Sequence, residues 1–257
     1  MYRPESALTD AKDLAPSMDL GGATIAFDLD GCLVDTAPDL IGTLNLILAE
    51  HGHPGLPLES ARTVVGFGAR AMLARGFEAV GETLHPARMD RLFEHFIDLY
   101  VARIAQESRP FPGVVEVLES LTAAGARLVV CTNKRTDLSL ILLDALDLTR
   151  HFGAIVGPDK AGVSKPDPRH LLYAIEAVGG SPDHALMIGD SRPDVGAAVA
   201  AGLPVVAVSF GYSDVPPAEL GADALIDHFA ELPPVARRLL AAQQAAIRPV
   251  LPDQADA

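Results

Sequence analysis

Short apolar runs that alternate with helical patterns constrain this chain more than any other feature of its sequence. β-rich runs occupy residues 23–29, 126–131, 154–157, 185–189 and 204–209. Helical patterns at 114–124, 136–146, 168–178 and 192–201 separate the later ones, and Gly125, Gly179 and Gly202 follow three of these. Glycine at such positions supplies the left-handed residue that closes a helix. A strand that is apolar along its whole length must be buried on both faces, and helices between strands supply the cover. The fold class that follows is α/β, with a parallel sheet between layers of helices.

One stretch breaks the rhythm. Between the first two runs, residues 36–127 carry helical patterns at 37–51, 69–80 and 86–106 and no convincing strand. A parallel crossover needs only one helix. The surplus, residues 37–106, therefore reads as an inserted helical subdomain. This leaves a core of residues 22–36 and 107–234, a flexible leader at 1–21, and a C-terminal helix and frayed tail at 235–257.

Composition excludes several function classes. The chain has 257 residues, 34 acidic and 20 basic, for a formal charge of −14. That field repels nucleic acid and anionic membranes. The most apolar stretch, 195–210, is broken by Gly202 and Pro204 and is shorter than the roughly 20 residues of a membrane span. The acidic N-terminus lacks the basic-then-apolar order of a signal peptide. Two cysteines and no CxxC motif fit a reducing, cytoplasmic setting. A monomer or a homodimer is expected.

Ligands of a parallel sheet bind beyond the carboxyl ends of its strands. There the sequence places Asp28-Leu29-Asp30-Gly31-Cys32-Leu33-Val34-Asp35, Cys131-Thr132-Asn133-Lys134, Ser164-Lys165-Pro166-Asp167 and Gly189-Asp190-Ser191-Arg192-Pro193-Asp194. Carboxylates crowded at one edge repel each other unless a cation joins them. Ligands that are all hard oxygens suit Mg²⁺ and not zinc. The Thr132 hydroxyl and the Lys165 ammonium are complementary to phosphate oxygens. A carboxylate facing a neutralised phosphate can attack it, so the chemistry this allows runs through an aspartyl-phosphate. Each motif also has an ordinary reading: Asp35 as a turn residue, Lys165 as a solvated loop lysine, Ser191 to Asp194 as a helix capping box. Their joint occurrence at successive strand ends favours a site.

Taken together, these motifs resemble those of the haloacid dehalogenase-like hydrolases over residues 22–230. The wording FDLDGCLVDTAPDL, TNK, SKPDP and IGDSRPDVGAAVAAG is most similar to the phosphoglycolate phosphatases. The resemblance implies a Rossmann-like core with a helical cap inserted after the first motif. It implies Asp28 as nucleophile and Mg²⁺ ligand, and Asp30 as general acid and base that also binds Mg²⁺ through its backbone carbonyl. Thr132, Asn133 and Lys165 would hold the phosphate, Asp190 would complete the metal ligands, and Asp194 would sit behind them or orient Lys165. The family usually has Thr where this chain has Cys32, which offers weaker hydrogen bonds. Cys32 and Cys131 are expected to be small buried apolar groups.

Within the cap, Gly66-Phe67-Gly68 before Arg70 reads by itself as a turn between helices. In the phosphoglycolate phosphatases a similar loop reaches the site, which makes Arg70 the candidate for a substrate carboxylate. His51 and His53 lack a partner cluster and are expected at the surface. The function implied is hydrolysis of a small phosphomonoester, with 2-phosphoglycolate leading. Another phosphatase of the superfamily (a nucleotidase or pyrophosphatase) and a β-phosphoglucomutase-like phosphotransferase are the alternatives. A phospho-receiver domain also clusters Asp, Thr and Lys on such a sheet. Receivers are about half this length and carry paired acids upstream that this chain lacks. The turn after the first strand is DLDG and not GxGxxG, which argues against a dinucleotide-binding module.

Overall fold

The computed structural model describes residues 19–66 and 68–247. Leader residues 1–18 and tail residues 248–257 lie outside the described residues. In chain order, β1 (Thr24–Phe27) and β2 (Val34–Asp35) precede four helices, α1 (Ala37–Glu50), α2 (Leu58–Val65), α3 (Ala69–Ala79) and α4 (Pro86–Val101). Then come β3 (Arg109–Pro110), α5 (Val114–Ala123), β4 (Arg127–Cys131), α6 (Thr136–Ala145), β5 (Ala154–Val156), α7 (Pro158–Ala161) and α8 (Pro168–Ala177). The chain continues through β6 (Ala185–Gly189), α9 (Arg192–Ala201), β7 (Val205–Val208), β8 (Ala224–Ile226) and α10 (Leu232–Ile247).

Six strands form one parallel sheet in the order β5-β4-β1-β6-β7-β8. From β1 the chain builds one side of the sheet through β4 and β5, then returns to the other side of β1 at β6. That reversal opens a crevice beyond the carboxyl end of β1, between the loops that follow β4 and β6. Side chains alternate along the strands. Ile25, Phe27, Leu128, Val130, Leu186 and Ile188 face one apolar layer, which α5, α6 and α10 complete. Ala26, Val129, Cys131 and Met187 face the other, against α8 and α9.

The expected strands are present; β8 is additional, and so is the two-residue pair β2–β3, whose second member lies in the stretch expected to hold no strand. The three residues of β8, Ala-Leu-Ile, follow a loop and are too short to register as a periodic pattern. Helix α2 is also additional; it follows the Gly- and Pro-rich segment 52–57, which masks a short helical signal. Leu20, expected in the leader, is buried, and its N–H bonds the Ala124 carbonyl at 2.8 Å.

The four-helix insertion joins the core at two crossings that are tied together. Strands β2 and β3 pair antiparallel, Val34 with Pro110 and Asp35 with Arg109. In the first turn of α1, the buried Asp39 accepts hydrogen bonds from the Glu107 N–H at 3.0 Å, the Ser108 N–H at 2.8 Å and the Ser108 hydroxyl at 2.7 Å. A carboxylate with several donors makes strong, charge-assisted bonds. The outgoing and returning chain are thereby held side by side. Asp39→Ala strands these donors in a buried position and should cost about 2–4 kcal/mol of unfolding free energy. Urea unfolding measures this, and a loss below about 0.5 kcal/mol would show that Asp39 does not hold the crossings.

Candidate active site

Each motif residue is delivered by the strand before it. Asp28 follows β1 directly, with its N–H on the Ile188 carbonyl at 2.9 Å. The chain then turns sharply: Gly31 donates to the Val34 carbonyl at 2.9 Å with φ at 85°. A Cβ at Gly31 would stand 2.6 Å from Asp190 Oδ2, so only glycine lets the two motifs approach. After β4, the Thr132 N–H bonds the Val156 carbonyl at 3.1 Å, and its Oγ1 accepts the Lys134 N–H at 3.1 Å.

Asn133 and Lys165 clasp each other reciprocally. The Asn133 amide donates to the Lys165 carbonyl at 3.0 Å, and the Lys165 N–H donates to Asn133 Oδ1 at 2.8 Å. Asn133, expected at the phosphate, thus holds the lysine loop in place. The buried Lys165 ammonium reaches Asp28 Oδ1 at 2.8 Å and Asp194 Oδ1 at 2.6 Å. It is not the solvated lysine of the ordinary reading.

Asp194 has both of the roles weighed for it. Its Oδ2 accepts from the Ser191 N–H at 3.1 Å, the Ser191 hydroxyl and the Asp190 N–H at 3.2 Å, forming the capping box of α9. Its Oδ1 orients Lys165. One carboxylate oxygen each from Asp28, Asp190 and Asp194 lie within 4.8 Å of one another, all three residues buried. Burial, with repulsion from Asp194 and Asp30, outweighs Lys165 and raises the Asp28 carboxyl to about 6. Burial, then the Asp194 and Asp28 charges, push Asp190 well above its ordinary value. Were all three carboxylates ionised together, one ammonium would leave a deficit of two charges, which a divalent cation would match. Both Asp194 oxygens are engaged, which leaves Asp28 and Asp190 as the carboxylates that fit it.

Asp30 is held differently. The Lys134 ammonium lies 3.1 and 3.2 Å from its two carboxylate oxygens and 2.9 Å from the hydroxyl of Tyr100 on α4. No local pattern in the sequence marks Lys134 or Tyr100 as part of the site. Lys134 stood in view beside Thr132 and Asn133, but nothing local said that it would turn toward Asp30. Cys32 and Cys131 are buried, and burial raises the Cys32 thiol well above its usual value and Cys131 to about 12. The Cys32 thiol rests 3.7 Å from the Ile188 carbonyl, consistent with an inert packing role.

One cavity joins this polar floor to the cap. Above Asp28, Asp30, Thr132 and Lys165 it is lined by Leu40, Val65, Met72, Phe93, Phe96 and Ile97. Gly66, Gly68 and Ala69 also line it, so the loop expected to reach the site does so. Arg70 does not line it. Its side chain is 53% exposed, bonds Asp90 at 2.7 Å and lies 4.4 Å from the centroid of the Phe93 ring. An ion pair and an aromatic face on α4 draw the guanidinium outward. His53 bonds Glu82 and His95 bonds Glu50, both away from the cavity.

The model of the family described as haloacid dehalogenase-like hydrolase matches residues 25–208. The chain belongs to that family. Among relatives of this hydrolase, a phosphoglycolate phosphatase of Caulobacter vibrioides is 56% identical over 222 residues, covering 86% of this chain and 94% of the relative. An N-acetylmuramic acid 6-phosphate phosphatase of Pseudomonas aeruginosa is 37% identical, covering 84% and 95%. A crystal structure described as a predicted phosphoglycolate phosphatase from Haemophilus somnus superposes with a TM-score of 0.78 at 30% identity, covering 85% and 99%.

The two cap contacts differ in what they should do to the hydrolase. Lys134→Met removes charged hydrogen bonds from Asp30 and should lower kcat/KM on p-nitrophenyl phosphate about 10-fold or more, from the ~1.5–3 kcal/mol such bonds contribute. Arg70→Ala breaks an exposed pair and should change it by less than about 2-fold. Steady-state kinetics decides both, and the reverse ranking would contradict the geometry.

Proposed function

We propose that this hydrolase is a Mg²⁺-dependent phosphatase that converts 2-phosphoglycolate to glycolate and phosphate through an aspartyl-phosphate on Asp28. The observation that carries the reading is the buried set of Asp28, Asp190, Asp194 and Lys165 at the floor of a cavity that the cap also lines. The phosphoglycolate phosphatases among its relatives support the substrate. Two buried free cysteines fit a cytoplasmic enzyme. No helix among the described residues is long and apolar enough to cross a membrane.

In the first step an Asp28 oxygen bonds to phosphorus and the ester P–O bond breaks. Asp30 gives its proton to the departing glycolate oxygen. In the second step water attacks the phosphorus of the aspartyl-phosphate, Asp30 takes its proton, and the Asp28 P–O bond breaks to release phosphate. Lys165 and the Thr132 hydroxyl hold the phosphoryl oxygens, and Lys165 offsets charge that grows in the transition state. Asn133 supports this by fixing the Lys165 loop. Asp28, Asp190 and the backbone carbonyl of Asp30 would hold Mg²⁺, which when bound neutralises the carboxylates facing the phosphate and polarises it. The Lys134 ammonium engages both oxygens of the Asp30 carboxylate, so Asp30 has to loosen from Lys134 to take up and give its proton.

With Arg70 turned away, Arg135 is the candidate for the substrate carboxylate. It lines the cavity, and among the described residues its guanidinium pairs with the exposed Asp137 and not with Asp28 or Asp30. The apolar cap lining favours a second reading, an ester larger than phosphoglycolate, as the name of the Pseudomonas relative suggests. Ranking kcat/KM over a panel of phosphate esters separates the two: phosphoglycolate should lead, and a sugar phosphate in first place would overturn the substrate assignment.

Asp28→Asn keeps the shape and removes the nucleophile, so turnover should fall on the order of 10³-fold or more. EDTA should abolish activity and Mg²⁺ restore it; full turnover in excess EDTA would refute the metal. Arg135→Ala should lower kcat/KM for phosphoglycolate about 10- to 150-fold and leave p-nitrophenyl phosphate nearly unchanged. Equal losses on both substrates would remove Arg135 from the carboxylate.

A further inference from the structure

A polar chain, half-buried at Arg62 and Asp35 and buried at Tyr212, links the cap to Asp190 from outside the cavity that Asp190 lines. Tyr212 sits in the loop after β7, 3% exposed. Its backbone N–H donates to Asp190 Oδ2 at 2.6 Å. Its ring lies over Gly31, where a Cβ would stand 2.7 Å from the ring carbon Cδ2. The preceding Gly211 is equally confined, since a Cβ there would stand 2.2 Å from the Asp190 Cβ. The loop therefore presses on Asp190 through backbone, with no side chain to spare.

The far end of Tyr212 is anchored at the entrance to the cap. Its hydroxyl accepts the Ala37 N–H, the first of α1, at 2.9 Å and donates to Asp35 Oδ1. Asp35 in turn receives both terminal nitrogens of Arg62, at 3.0 and 3.1 Å. Arg62 belongs to α2 in the cap, and its guanidinium carbon lies 5.7 Å from the Tyr212 ring centroid. A two-pronged arginine–carboxylate pair is directional as well as strong. None of Arg62, Asp35 and Tyr212 lines the cavity, so the substrate does not account for them.

We infer that Tyr212 is a positioning residue that holds Asp190 in the orientation a cation needs, and that Arg62, acting through Asp35, makes this depend on how the cap is seated. Asp35 is then not a turn residue but the joint between cap and metal ligand. The inference rests on the reading of Asp190 as a Mg²⁺ ligand given above. Groups behind a metal ligand typically govern metal affinity without touching the metal.

The test measures Mg²⁺ affinity by calorimetry on the full-length resting enzyme, alongside kcat and KM for p-nitrophenyl phosphate. Tyr212→Phe keeps the ring and the backbone N–H and loses only the hydroxyl. It should weaken Mg²⁺ binding and lower kcat roughly 10-fold, with KM changed less than about 2-fold. Arg62→Met should give a smaller loss in the same direction, and the double variant should be no worse than Tyr212→Phe, because both act through Asp35. Losses that multiply in the double variant would overturn the link from the cap. A Tyr212→Phe enzyme that melts earlier but binds Mg²⁺ normally would overturn the positioning role. Should Tyr212→Phe fail to fold, Arg62→Met with wild-type Mg²⁺ affinity would overturn the proposal by itself. A wild-type enzyme that binds no Mg²⁺ removes the metal reading and this inference with it; variants that bind as tightly as a binding-competent wild type remove the inference alone.

Discussion

Everything in this active site answers to the mutual repulsion of Asp28, Asp190 and Asp194. Buried carboxylates are costly when uncompensated. Lys165 is the first compensation, set between Asp28 and Asp194. It can stand there because Asn133 clasps its backbone and because the capping box of α9 has already oriented Asp194. The glycines follow from the same crowding. A Cβ at Gly189 would stand 2.4 Å from the Asp194 carboxyl carbon, and Gly31 and Gly211 leave room around Asp190 in the same way. The protein has closed a polypeptide around three like charges, and the shortfall of positive charge that remains is what suits the site to a divalent cation.

The cap works against this polar floor with different materials. Its cavity face is apolar, and it touches the chemistry through two polar links instead. Tyr100 on α4 reaches Asp30 by way of Lys134, and Arg62 on α2 reaches Asp190 by way of Asp35 and Tyr212. An apolar lining beside charged groups lowers the local dielectric and strengthens their interactions. Two intermediaries, Lys134 for Asp30 and the Asp35–Tyr212 pair for Asp190, tie the cap to two of the acidic motif residues.

The sequence by itself determined five of the six sheet strands, three of the four inserted helices and the motif residues at the strand ends. It could do so because each is a local property. Burial on both faces writes an apolar run, a helix end writes a glycine, and a parallel sheet sends every strand's carboxyl end to the same edge. What only the tertiary structure decided is which side chains turn toward that edge. Arg70 follows a loop that does reach the cavity, yet Asp90 and Phe93, remote in sequence and on another helix, draw it outward. Lys134 adjoins a motif but takes its meaning from Asp30 and Tyr100, and Tyr212 takes its meaning from residues far earlier in the chain. A strand fixes where its last residue lies, whereas a long side chain goes to whichever partner the packed structure brings within reach, and no local pattern encodes that.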